Sequence, residues 1–268
     1  MRRYSNVMAL LFSFLQRDVY RDAAWQWRGA GILYALLLAA IVTLLVTLRV
    51  EMGVSGFARR DAPRLIVQLP TITIDHGHVG IDRPSPVVIR DPGSGKVAAI
   101  IDTTGSITSL EGAEGTLLLT RDHLIYRKTA AETRVFDLSR VEHFVIDQRR
   151  ATQWTGLAVV WVPIAVFPFI LGFMFVVRLF QQLLAALAVL AIGRARALTL
   201  DFATCMRLGV LAITPGTLAL DVAGFAGLKV PASGMVWCAI TLAYVLFAIA
   251  ACRAPAVLEP DDTTAPAH

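Results

Sequence analysis

Asp221 is the one acid inside an otherwise apolar stretch, LGVLAITPGTLALDVAGF, with Pro215 six residues and Thr214 seven residues before it. An ionisable group in a membrane helix is costly, so it marks a functional position unless a partner or the headgroups relieve it. Pro215 removes a backbone donor, which can free carbonyls beside Thr214. A broken helix, a hydroxyl and a carboxylate together form the kind of set that coordinates protons or ions in transporters. The plainer alternative is that Asp221 lies within a turn or two of the span's end and reaches headgroups or an arginine. Arg178 is the single charge between residues 151 and 193, with Gln181 and Gln182 close behind it. Those amides could join helices within a span or sit unremarkably at an interface.

A second candidate is Asp102, which opens Asp102-Thr103-Thr104-Gly105 after the apolar run Val97–Ile101. The segment superficially resembles the Asp-Thr-Gly of aspartic proteases, where two carboxylates share a proton. An extra threonine interrupts the motif and no second copy follows, so a turn in which Asp and Thr bond backbone amides is the better expectation. His76 and His78, with Asp75 or Asp82, could hold zinc or copper if they shared a strand face. Gly77 between them predicts a hairpin turn that would break that face. Asp91-Pro-Gly-Ser-Gly-Lys96 is not a phosphate-binding loop, because the spacing is wrong and a strand follows. No catalytic residue, cofactor site or metal site is therefore assigned. The functional candidates are Asp221, Thr214, Pro215, Asp102 and Arg178.

These residues need elements to hold them. The twenty residues between Arg28 and Arg49 carry no charge, the length an α-helix needs to cross a hydrocarbon core. Their flanks argue against a cleaved leader, so they predict a retained first span over 29–48. Residues 151–193 suit two spans with a tight turn near Gly172–Arg178, about 154–174 and 176–193. Further spans are predicted at 207–226 and 233–252, and a disordered tail at 253–268. Residues 1–28 predict an amphipathic helix on the bilayer, with Leu11, Phe12, Leu15, Val19 and Tyr20 at helical spacing and Arg17 and Arg21 toward headgroups.

Between the first two spans, residues 63–148 alternate β-prone runs with turn signals. Strands are expected at Arg64–Gln68, Thr71–Ile74, His78–Ile81, Val87–Arg90, Val97–Asp102, Thr116–Thr120, His123–Arg127 and Arg134–Asp137. The expected fold is a membrane α-helical bundle of about five spans with a small antiparallel β domain inserted between spans one and two.

The formal charge of +5 separates into local balances. Residues 50–152 hold thirteen basic and thirteen acidic groups, so the inserted domain is neutral. The basic excess flanks membrane segments, which argues against a nucleic-acid partner. Cys205, Cys238 and Cys252 all lie in or beside apolar segments, so the β domain has no disulfide framework. Arginines before the first span place the N-terminus in the cytoplasm and the β domain outside. Hydropathy favours five spans. Charge favours four, because only four would bring Arg194, Arg196, Arg207 and Arg253 inside.

Several short segments occur in a telling order: Phe12-Ser13-Phe14, Val19-Tyr20-Arg21, Trp27-Arg28-Gly29, Gly31 and Tyr34, then Leu69–Ile74, Ile101–Gly105 and Ala212–Pro215. In this order and spacing the chain resembles the bacterial membrane-protein family known as domain of unknown function 1189, over roughly residues 10–250. The resemblance implies a multi-span protein with an extracytoplasmic insert after the first span. It implies no activity or catalytic residues.

Three functional expectations follow. The first is a non-enzymatic protein of the bacterial inner membrane, whose partners are the lipid bilayer and an envelope protein or a second copy of itself. The second is a transporter or lipid-handling protein using the helix of Pro215 and Asp221. The third is a tethered hydrolase using Asp102 or the histidines.

Overall fold

The computed structural model describes residues 4–110, 115–129 and 132–253. Its elements, in chain order, are α1 (Asn6–Phe12), α2 (Arg17–Trp25), α3 (Ile32–Arg60), α4 (Ala62–Ile66), β1 (Ile72–Asp75), β2 (His78–Ile81), β3 (Val87–Arg90), β4 (Val97–Ile101), β5 (Leu117–Leu119), β6 (His123–Arg127), β7 (Thr133–Asp137), β8 (His143–Ile146), α5 (Gln148–Ala195), α6 (Phe202–Phe225) and α7 (Ser233–Arg253). Two compact units result: a β unit, Val50–Ala165, and a helical unit formed by the described residues up to Arg49 and from Val166 onward.

Among the described residues four helices, α3, α5, α6 and α7, are long and apolar enough to cross a membrane. The described residues hold four such helices rather than the expected five, because 154–174 and 176–193 lie in one 48-residue helix. Gly172 alone costs such a helix only about 1 kcal/mol, too little to impose a turn amid helix-forming apolar residues. Arg178 does not require one either, since it finds partners inside the bundle. The N-terminal segment also differs from expectation. It is two helices, α1 and α2, and Val19 and Tyr20 are fully buried in the protein while Leu11 and Leu15 are exposed. The expected disordered tail lies outside the described residues beyond Arg253.

In the helical unit α6 is central, buried continuously from Leu208 to Thr217. In a bilayer, where lipid tails are as apolar as leucine, close packing must replace the hydrophobic drive between helices. The buried cluster is accordingly rich in small residues: Ala23, Ala35, Ala185, Ala186, Ala212 and Ala248. Gly209 lies against α5 so tightly that a Cβ would come within 2.8 Å of the Ala186 nitrogen.

Side-chain contacts fix the helix directions. Thr204 and Arg207 of α6 reach Ala24, Gln182 of α5 reaches Ala30, and Arg21 of α2 reaches Ala251 of α7. Arg253 donates to the Arg196 carbonyl. At the opposite end Arg49 of α3 donates to the Gly224 carbonyl of α6. Thus α3 and α6 run away from the first end, while α5 and α7 return to it. Arg17, Arg21, Arg28, Arg194, Arg196, Arg207 and Arg253 gather at that end, where Asp18, Asp22 and Asp201 offset only part of their charge.

The β unit has two sheets, ordered β2-β1-β8 and β3-β4-β5-β6-β7. Ile72, Ile74 and Val79 of the first meet Ile89, Ile101 and Leu119 of the second in one core. Ile100, Leu118 and Ile125 bury the other face of the larger sheet with Leu110. The expectation of a purely antiparallel domain is corrected by β4 and β5, which pair in parallel as Ile100 with Leu118. The expected strand Arg64–Gln68 is instead the short helix α4, where Pro63 sits at a helix start and its missing N–H is harmless. Strand β8 had no sequence counterpart.

Candidate functional site

The spacing Thr214, Thr217, Asp221 places three polar side chains along one face of α6, at intervals of three and four residues. Arg178 projects from α5 onto that face. Its Nη2 donates to Asp221 Oδ2 at 3.0 Å, and its Nη1 donates to Gln181 Oε1 at 2.6 Å and Thr217 Oγ1 at 3.3 Å. Trp237 of α7 donates its indole N–H to the same Thr217 oxygen at 3.1 Å. One hydroxyl therefore joins α5, α6 and α7. The Arg178 side chain is 7% exposed and that of Asp221 34%. Asp221 faces a groove of about 210 Å³ lined also by Val42, Val46, Arg49, Leu220 and Phe225.

Thr214 lies one turn deeper. Its hydroxyl donates to the Val210 carbonyl at 2.8 Å, so Tyr34 of α3 is the donor in the 3.1 Å bond between the two hydroxyls. Pro215 does not break α6, which runs on through it. Neighbouring helices pack around a buried proline and hold the helix together, as in other membrane helices.

A second polar cluster, at the arginine-rich end, centres on Arg207 and on Gln182, whose amide was expected either to join helices or to sit at an interface. Arg207 donates from Nη1 to the Gly29 carbonyl at 2.9 Å and from Nη2 to the Ala24 carbonyl at 3.1 Å. Gln182 donates to the carbonyls of Ala30 at 2.6 Å and Met206 at 3.1 Å. Ala24 belongs to the last turn of α2, whose carbonyls lack helical partners and carry the negative end of the dipole. A guanidinium is suited to that position. Arg21 on Ala251, Arg253 on Arg196 and Arg49 on Gly224 repeat the arrangement at or beside the C-terminal ends of α7, α5 and α6. In sequence these arginines were legible only as flanking charges.

In the β unit Asp102 is fully buried at the end of β4. Its Oδ1 accepts from the Thr104 N–H at 2.8 Å, the Thr104 hydroxyl at 2.6 Å and the Ser85 hydroxyl at 3.2 Å, and its Oδ2 accepts from the Ile107 N–H at 2.6 Å. Burial raises its pKa, but these hydrogen bonds outweigh burial and hold the carboxyl below its ordinary value. This carboxylate shapes the 102–107 turn. A cavity of about 370 Å³ beside that turn is lined by Ile107, Arg121, His123, Ile125 and Val135.

The hairpin turn expected at Gly77 is present. His76 and Gly77 are the two central residues of the β1–β2 hairpin, with φ of 46° and 83°, as a type I′ turn requires. A side chain at 77 would also strike Ser139. His76 and His143 both approach Asp75, at 3.1 and 3.7 Å, and His78 lies opposite Asp75 in the β1–β2 register. Among the described residues no group of three or more His, Cys, Asp or Glu side chains could hold a metal ion.

Of the sequence candidates, Arg178 and Asp221 are joined directly, and Thr214 and Pro215 share the helix of Asp221. Asp102 belongs to the other unit. Gln182 joins helices, one of the two roles the sequence allowed it, while Tyr34, Thr217, Trp237 and Arg207 complete the polar interior and could not be singled out by sequence periodicity alone.

Four membrane-length helices around polar clusters, interrupted by a β unit, define a class of helical membrane-type protein with an inserted domain. The chain belongs to the family described as protein of unknown function (DUF1189), whose family model matches residues 7–249. No curated protein and no solved structure matches it.

Proposed function

We propose that this is a non-enzymatic integral protein of the bacterial cytoplasmic membrane that presents its β unit outside as a recognition module for a protein partner of the envelope. The arginine-rich end lies in the cytoplasm under the positive-inside rule, with both ends of the described chain on that side. The observation that carries the recognition role is strand β7, whose five residues are all exposed at the margin of the larger sheet, Val135 at 59% and Phe136 at 49%. Bare strand edges are normally covered or charged in soluble domains, and they bind extended segments when they are not. The candidate acids support the non-enzymatic part. Asp102 is held by four hydrogen bonds and Asp221 by Arg178, so neither is poised as a general acid or base.

Photo-crosslinking from Phe136 in intact cells tests the recognition role. A defined adduct at Phe136, absent from the buried β5 position Leu118, is expected. Equal labelling at both positions, or none at either, would sink it. Reporter fusions at residues 100 and 200 test the orientation, with an outside signal expected at 100 and an inside signal at 200.

A second reading, a transporter or lipid-handling protein, is favoured by the groove onto which Asp221 opens. It requires Asp221→Asn to abolish function while membrane abundance holds, and a wild-type phenotype in that variant ends it.

A further inference from the structure

We propose that β7 pairs with β7 of a second copy of this chain, antiparallel about Val135, making one continuous sheet across two β units. The proposal rests on the reading of the β unit as a recognition module and names its partner.

The other sheet margins are blocked. On β3, Gln68 closes the edge by donating to the Arg90 carbonyl at 3.0 Å and accepting from the Arg90 N–H at 2.9 Å, next to a register irregularity at Ile89/Arg90. On β2, the Val79 N–H is taken by the Arg121 carbonyl at 2.7 Å. On β8, Arg150 donates to the Val145 carbonyl at 2.6 Å. Nothing comparable meets β7 among the described residues.

The backbone phase of β7 identifies which groups are free. Lys128 N–H bonds the Glu132 carbonyl and Leu138 N–H bonds the Asp122 carbonyl. The β6–β7 register pairs Tyr126 with Arg134 and Leu124 with Phe136. Even-numbered residues of β7 therefore point their N–H and C=O groups toward β6. The odd-numbered Thr133, Val135 and Asp137 present theirs to the open edge, since hydrogen-bonded and open pairs alternate along an antiparallel ladder.

A two-fold axis normal to the sheet keeps like faces together, so it must pass through a residue pair rather than between pairs. Centred on Arg134, it would set two guanidinium groups directly opposite, which is destabilising. Centred on Phe136, it would place Val135 against Asp137 of the other copy. Centred on Val135, it pairs Val135 with Val135, Thr133 with Asp137 and Arg134 with Phe136. This gives a branched apolar pair, a hydroxyl against a carboxylate and a guanidinium beside an aromatic ring. It is also the register in which all three free residues of each strand bond, giving six main-chain hydrogen bonds rather than four. Two chains anchored in one bilayer meet at high effective concentration, so a short ladder suffices.

The full-length chain in membranes tests this. In a background with Cys205, Cys238 and Cys252 replaced by alanine, Val135→Cys is expected to give a disulfide-linked dimer under mild oxidation. Paired Cα atoms about 5.5 Å apart fall within disulfide reach. Val88→Cys on the blocked β3 edge should give none. With the native cysteines kept, Val135→Lys and Val135→Glu are each expected to lose several-fold in co-purification of two differently tagged copies, and mixing the two variants should restore it. Failure of the Val135 crosslink together with undiminished co-purification of Val135→Lys overturns the proposal. An adduct of Phe136 with a different protein, without a homodimer, also overturns it while leaving the recognition role intact. Absence of every adduct removes both.

Discussion

Arg178 Nη2 lies 3.0 Å from Asp221 Oδ2, a contact that joins α5 to α6 inside an apolar helical unit. The pair converts two costly charges into a link between helices. Removing one partner strands the other in a low-dielectric site, whereas removing both strands nothing.

The first prediction follows from that asymmetry. Asp221→Asn or Arg178→Gln alone should destabilise the protein toward the lower end of the roughly 3–5 kcal/mol seen when a buried pair loses one partner, because Asp221 keeps an outlet to the groove. The double variant should lose less than the sum of the two. Thermal unfolding in detergent micelles, read as a double-mutant cycle, measures the coupling. Additive losses would show that the contact carries no energy.

The second prediction concerns the arginine caps. Arg207→Ala removes the charged donor from the Gly29 carbonyl and from the Ala24 carbonyl, which keeps only the longer bond from the Thr204 hydroxyl. Hydrogen bonds to charged groups contribute about 1.5–3 kcal/mol each, so the loss should be large. It should also be local, appearing as faster amide hydrogen exchange across residues 26–35. Arg207→Lys should recover only part, because one ammonium cannot reach both carbonyls as the guanidinium fork does. Unchanged exchange in that segment would count against the capping role.

Much of this organisation was legible in the sequence and some was not, for physical reasons. The spans of α3, α6 and α7 and seven of the eight strands announce themselves through hydropathy, alternation and turn residues. Helix α5 misled because a lone arginine in an apolar run suggests a boundary, and its partner stands 43 residues away on another helix. Helix α4 misled because Arg64–Gln68 alternates like a strand while Pro63 signals a helix start. The parallel β4–β5 pair depends on where a long connection returns, which local pattern does not encode. Asp102 was legible as a turn former from Thr104 and Gly105. The roles of Thr217 and Arg207 were not, since their partners come from other helices.

The third prediction is a pH dependence of the β unit. The carboxyl of Asp102 titrates below its unfolded value near about 3.9. Its contribution is therefore complete above that value and is lost as pH falls through the lower folded value. Hydrogen-exchange protection of β4 and β5 should fall in acid below about pH 4 in the natural chain. Asp82, Asp91, Asp122 and Asp137 are shifted the same way, so the difference between chains is the diagnostic quantity. Asp102→Asn should begin less stable by about 1–3 kcal/mol at neutral pH and show a shallower acid decline. An identical slope in both chains would refute the assignment.

The last prediction separates close packing from helix propensity within one helix. Gly209 and Gly224 both lie in α6. A Cβ at 209 would meet the Ala186 nitrogen at 2.8 Å and the Gln182 carbonyl oxygen at 2.9 Å, both backbone atoms of a rigid helix, whereas a Cβ at 224 would meet nothing within 4 Å. Propensity alone favours alanine at either site by up to about 1 kcal/mol. Gly224→Ala should therefore be neutral or slightly stabilising. Gly209→Ala must push α5 and α6 apart, weakening the contacts that set Gln182 on Ala30 and Arg178 on Asp221. It should lower the midpoint of thermal unfolding, and Gly209→Val should lower it further. If Gly209→Ala proves as stable as Gly224→Ala, the two helices do not approach as closely as the structure has them. The small-residue packing argument for the helical unit would then fall with it.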